Sequence, residues 1–199
     1  MISYRIRRLP GDGDSARRYH LFDRADRLLL VADEGSEWLP ADDGPQVRFA
    51  RPDGERVATM DLPRPADRRA DKKQDFAIIY EHAVYALITA MDLSSSTGSL
   101  SRAAAVGTFD RLVIEVEGNK WLGLCWTGQE DGPLLVLYDA EAGGLATTVD
   151  PESTDLPAPI GLLEAGAGDY DFDLTLPAGQ PKQGPLLGLA LVFLVDGGS

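Results

Sequence analysis

Gly184-Pro185-Leu186-Leu187-Gly188-Leu189-Ala190-Leu191-Val192-Phe193-Leu194-Val195-Asp196-Gly197-Gly198 is the stretch that decides how the rest of this chain folds. It is apolar on every side, so whichever conformation it takes has to be enclosed all round. Pro185 suits the first turn of a helix, where a missing N–H costs nothing, and Gly197 suits the position just past a helix end. A fully buried central strand is the competing state. Val192, Phe193 and Val195 favour it, and periodicity does not arbitrate an all-apolar run. The Pro-start, Gly-stop asymmetry favours the helix. From Leu186 to Val195 such a helix is ~15 Å long, near half of a hydrocarbon core, so the interior of the protein is the expected home rather than a membrane.

Working outward from that segment, the chain supplies material to enclose it. A short apolar-alternating run, a turn signal and a second run recur along the sequence. Tyr19 to Phe22 is followed by Asp23 to Asp26 and then Leu28 to Ala32. Val47 to Ala50 is followed by Pro52-Asp53-Gly54 and Arg56 to Met60, and Phe76 to Tyr80 by Glu81-His82 and Val84 to Ile88. Later, Leu112 to Val116 precedes Gly118-Asn119 and Trp121 to Trp126, and Leu134 to Tyr138 leads through Asp139 to Gly144 into Leu145 to Val149. The runs have strand length and strand composition, and Asp-Gly, Gly-Asn and Gly-Gly tolerate the positive φ that tight hairpins demand.

Alternation assigns faces. Leu112, Ile114 and Val116 share one side of a strand while Glu115 and Glu117 take the other, and Phe172, Leu174 and Leu176 alternate with Asp171, Asp173 and Thr175 in the same way. Five hairpins plus single strands near Tyr4 to Leu9 and Tyr170 to Leu176 predict about twelve strands. The expected fold is a mostly β, single-domain (1–199) antiparallel barrel of hairpins closed around a buried hydrophobic C-terminal helix. Pro151 to Gly168, with Pro151, Pro157 and Pro159, reads as an irregular connector. Ser94 to Val106 reads as a loop or as a short helix at Arg102-Ala103-Ala104-Ala105 capped by Ser99 or Ser101.

Repeated hairpins followed by an apolar terminal helix resemble the tubby-like barrel superfamily, especially the LURP-one-related proteins and the soluble part of phospholipid scramblases. The resemblance rests on the hairpins from Tyr19 to Ile88, the later pair from Leu112 to Val149, and Phe172 to Asp196. It implies about twelve strands around a central C-terminal helix. Tubby domains recognise phosphoinositide headgroups through a basic surface, and scramblases are associated with lipid movement and calcium. This chain differs from the lipid-binding members in being strongly acidic and in having no membrane-spanning tail, so no family binding residue is carried over.

Charge narrows the partners. A net charge of −13 disfavours general binding to nucleic acid or anionic lipid. The cations nevertheless concentrate before Gln74. Arg64, Arg68, Arg69, Lys72 and Lys73 form an Asp-interspersed stretch that reads as a solvated loop or, alternatively, as a patch for an anionic ligand or a phospholipid surface. One cysteine, Cys125, excludes an internal disulfide and suits a cytoplasmic location, as does an N-terminus without the apolar run of a signal peptide.

Catalytic residue types are sparse. His20 and His82 are the only histidines, and neither has a nucleophile elbow or a comparable serine context beside it. Two histidines and one cysteine predict no structural metal site. Asp169, Asp171 and Asp173 mimic a calcium-ligand run but lack the glycine and terminal glutamate of an EF-hand loop, and strand alternation already explains two of them. Cys125, between Trp121 and Trp126, reads as a buried, inert thiol, and Trp38, Trp121 and Trp126 as packing residues. No cofactor fingerprint is present. The expectation is a non-enzymatic cytoplasmic binding or scaffold module. Anion or lipid contact through Arg64 to Lys73 is the first alternative, and a hydrolase using paired carboxylates the second.

Overall fold

The computed structural model of the chain describes residues 1–10, 17–35, 46–62, 73–91, 111–125, 133–141, 156–179 and 181–196. Within them lie β1 (Ile2–Pro10), β2 (Arg17–Phe22), β3 (Leu28–Gly35), β4 (Gln46–Ala50), β5 (Arg56–Asp61) and β6 (Lys73–Tyr80). There follow β7 (Ala83–Met91), β8 (Arg111–Val116), β9 (Asn119–Cys125), β10 (Leu135–Asp139), β11 (Gly161–Ala165), β12 (Phe172–Leu176) and α1 (Gly184–Val195). Every strand pairs antiparallel with its neighbours in sequence, and β12 closes on β1, giving a closed twelve-stranded barrel. A closed barrel leaves no unpaired strand edge.

The dozen strands expected from the hairpin series are present, with one change of membership. The ladder position assigned to Leu145–Val149 is filled by β11: Leu135 faces Leu163, Val136 faces Leu162 and Leu137 faces Gly161. β11 lies inside the stretch read as an irregular connector, and that reading is corrected here. Leu145–Val149 and Ser94–Val106 lie outside the described residues.

Inward-facing side chains follow the pleat. Tyr4 and Ile6, Tyr19 and Leu21, Val47 and Phe49, Ile78, Ile88, Ile114, Leu137 and Leu174 all belong to one buried apolar cluster, and α1 is part of it. No apolar residue from Leu186 to Leu194 is more than 5 % exposed. A helix lying on the outside would keep an exposed stripe; this one has none, so it fills the lumen. The helix, not the strand, is the state of the terminal segment, and proline stands in its first turn as expected. At Gly188 the helix packs tightly on β12, because a Cβ there would stand 2.3 Å from Leu174 Cδ2.

The outer face is not uniform. On β8 to β10, Val113, Leu122, Leu124, Val136 and Tyr138 form a second buried cluster, against which Met91, Leu156 and Leu162 pack. Elsewhere the outer face mixes charged side chains such as Arg5, Arg7 and Asp173 with exposed apolar ones such as Val84 and Leu87.

Candidate functional site

Two concentrations of functional side chains stand out among the described residues. The first sits at the rim where α1 ends. Arg17 Nη1 donates to the carbonyls of Phe193 at 2.9 Å and Asp196 at 2.7 Å, so it caps the helix C-terminus. Its Nε donates to Glu34 Oε2 at 2.7 Å, and its guanidinium lies 4.9 Å from the Phe193 ring centroid. Asp196 accepts from the Tyr19 hydroxyl and lies 3.5 Å from Arg8 Nη1. Burial, then the hydrogen bond to Asp196, drives the Tyr19 phenol far above its usual pKa, so it stays a neutral donor. Both carboxylates here are engaged by arginine, and their geometry serves to hold the helix end.

At the opposite end, where α1 begins, Tyr85 Oη accepts from the Gln183 N–H and Tyr80 Oη from Gln183 Nε2, both at 3.2 Å. Glu117 Oε2 accepts from the Lys182 N–H at 3.1 Å. A carboxylate at the start of a helix is favourably placed against the helix dipole. The helix is therefore tied at both ends by side chains from the barrel wall.

The second concentration lies outside, on β1, β2 and the segment before β12. Arg5 and Arg7 alternate with inward Tyr4 and Ile6, so both guanidinium groups face out. Arg5 lies 4.7 Å and Arg7 5.1 Å from the Tyr170 ring centroid, and Arg7 also lies 5.6 Å from that of Phe22. Phe22 and Tyr170 meet edge to face at 5.6 Å. Arg5 forms an ion pair with Asp26, whereas Arg7 Nε donates to the Asp169 carbonyl at 2.9 Å. Register places His20 directly opposite Arg7 and Asp33 between Arg18 and Arg48.

Charge is divided between the two halves of the wall. Described residues up to 62 carry ten arginines and seven carboxylates; those from 73 onward carry four cations and eleven carboxylates. The cation-rich half is the one that bears the stacked arginines.

Of the residues singled out from sequence, Arg64, Arg68, Arg69 and Lys72 lie outside the described residues, and Lys73 opens β6 opposite Met91. His20 lies within β2, and His82 stands in the β6–β7 turn at φ 66°. Cys125 is half-buried against the core rather than fully buried as expected, because it is the last residue of β9. Trp121 is buried in the core; Trp38 and Trp126 lie outside the described residues. Among the described residues no three His, Cys, Asp or Glu side chains converge as a metal site. Asp171 instead accepts from the Arg8 N–H at 2.6 Å, and Asp173 faces Arg5 and Glu164 across the ladders. No described helix is long and apolar enough to cross a membrane.

Sequence reading passed over Arg5, Arg7, Phe22 and Tyr170. The alternation Tyr4-Arg5-Ile6-Arg7 was a usable signal for two outward arginines. Their meeting with Tyr170, more than 160 residues later, depends on β12 closing the barrel. No family model matches the chain, and no match was found among curated proteins or solved structures.

Proposed function

We propose that this chain is a non-enzymatic, cytoplasmic binding or scaffold module of the tubby-like kind, working through the outside of its barrel. The observation that carries this reading is the filled lumen. α1 and the inward side chains occupy the space that a ligand-carrying barrel leaves open, so recognition falls to the wall and the rims. Twelve meandering strands around a C-terminal helix agree with the tubby-like reading in shape. The rim carboxylates Glu34 and Asp196 are tied to arginines that hold the helix, which leaves them poorly suited to hydrolysis.

A second reading, contact with an anionic phospholipid surface through the Arg64–Lys73 region, is favoured by the excess of arginine among the described residues of β1–β5 and their turns. Two measurements at 0.1 M salt separate the readings: fluorescence titration with poly-L-glutamate, and flotation with phosphatidylcholine vesicles with and without phosphatidylserine. At this ionic strength the Debye length is about 10 Å, so a local cationic face acts independently of the overall negative charge. The wall reading expects saturable polyglutamate binding and no flotation. Flotation that depends on phosphatidylserine supports the second reading, and no binding in either experiment removes both.

A further inference from the structure

We infer that the outer face of β6 and β7 is a self-association surface, on which a second copy of this chain docks about a two-fold axis running between the two strands. This goes beyond the outer-wall reading above and does not depend on it, because it needs no other partner.

The face is apolar where a barrel wall ordinarily meets water. Val84 is 63 % and Leu87 37 % exposed, and apart from Met1 and Ile2 they are the large exposed hydrophobics among the described residues. Register joins them to their neighbours. Thr59, Ile79 and Val84 face one another across β5, β6 and β7, and Ala77, Leu87 and Glu115 across β6, β7 and β8. Ala77 and Ile79 are half-buried and belong to neither apolar cluster of the barrel. Four apolar side chains therefore adjoin on the outside of two strands. Three of the four described non-glycine residues with positive φ, Glu81, His82 and Glu117, stand in the two turns at the end of this face. Asparagine or glycine would relieve those turns, and strain kept in this way accumulates where side chains serve something besides the fold.

Charge identifies the occupant. Most charges bordering the face are satisfied within the chain: Arg51 by Glu55, Arg48 by Asp33 and Glu115 by Lys120. Two are not. Among the described residues Arg56, exposed at the start of β5, has no ion pair, and Glu117 in the β8–β9 turn accepts only from the Lys182 N–H. Both stand at the rim where α1 begins, since Ala58, two residues beyond Arg56, faces Tyr80, which holds Gln183. They lie one strand out on either side of the β6–β7 pair. A two-fold axis parallel to the barrel, between β6 and β7, brings Arg56 of each copy to the partner's Glu117 and lays Ile79 against the partner's Val84. A cation on one flank and an anion on the other complement a face that carries the same order reversed, and a two-fold copy presents that face. Convex walls touch over few strands, so the dimer is weak, on the order of 10–100 µM. At 0.15 M salt the Debye length is about 8 Å, which screens the −13 charge of one copy from that of the other more than it screens contacts within the interface.

The test is sedimentation equilibrium of the full chain from about 5 to 500 µM at 0.15 M salt, with thermal melts of each variant to establish that the fold is retained. The expected result is a reversible monomer–dimer equilibrium. Val84→Thr with Leu87→Thr should weaken it at least about tenfold, through apolar area lost twice over. Ile2→Thr removes an equally exposed apolar side chain six strands away, on the opposite side of the barrel, and should leave it unchanged. Arg56→Glu and Glu117→Arg should each weaken association about fivefold, since each places two like-charge contacts in the dimer. The two together should return it to within about twofold of wild type. A monomer at every concentration overturns the proposal and leaves the face to a different protein. Equal losses from the Ile2 and the Val84–Leu87 substitutions overturn the choice of face, and a charge-swapped double variant no better than its parents overturns the two-fold arrangement.

Discussion

Arg17 ties the end of α1 to the barrel wall, because it satisfies two carbonyls left over there and pairs with Glu34 at the same time. Arg17→Met keeps much of the packing on Phe193 but strands those acceptors and leaves Glu34 half-buried without its cation. The expected cost is about 2–4 kcal/mol, read as a fall in the urea midpoint, and Glu34→Gln in the same chain should restore part of it. The β6–β7 turn makes the opposite case. Glu81 at φ 48° and His82 at φ 66° both occupy the left-handed region, where an L side chain costs roughly 1–2 kcal/mol. Glu81→Asn with His82→Gly gives that two-residue turn the residues it prefers and should raise the melting temperature by several degrees. An unchanged melt would mean that Glu81 or His82 makes compensating contacts.

At the scale of elements, α1 is the one member that every strand must accommodate. Leu191 is completely buried within it, so Leu191→Lys places an unpaired charge in an apolar lumen and should leave no folded, soluble protein. A cooperative melt of that variant would contradict a helix enclosed by the wall. Gly188→Val is the finer probe: with Leu174 Cδ2 only 2.3 Å from a built Cβ, the Leu174 side chain must turn aside or the helix shift from β12, at a cost of about 1–3 kcal/mol. These elements were largely legible beforehand, since alternation in β8 and β12 marked the inward face and Pro185 marked the helix start. β11 was not. Its sequence, Gly161-Leu162-Leu163-Glu164-Ala165, has little intrinsic strand preference and follows two prolines. It is a strand because β10 and β12 hold it on both sides, and a Cβ at Gly161 would stand 2.9 Å from the Thr175 carbonyl oxygen. The candidate site was half legible for a related reason. Arg5, Arg7 and His20 sit in recognisable strands, but their neighbours are set by register and closure, which local pattern does not encode.

For the molecule as a whole, closure ties the two ends of the barrel into one cooperative unit, and its tyrosines allow that to be measured. Tyr19 sits where α1 ends and Tyr85 where it begins, and burial pushes both phenols well above their ordinary values. The unfolded chain ionises its tyrosines near pH 10. Below that pH both states are protonated and these groups add no slope. Above it the unfolded state releases protons that the folded state keeps, so stability falls by up to ~1.4 kcal/mol per pH unit for each such tyrosine. Chemical denaturation from pH 9 to 11.5 should therefore show midpoints falling steeply beyond pH 10, with Tyr19→Phe flattening the slope by about one tyrosine's share. Because no strand edge is available to fray, the phenolate absorbance of Tyr19, read as the difference between wild type and Tyr19→Phe, and the loss of β-sheet ellipticity should move together on raising the pH. Tyr19 ionisation that runs ahead of the ellipticity would mean that one rim opens while the barrel stands, and that α1 is secured by its two ends separately rather than by the closed wall.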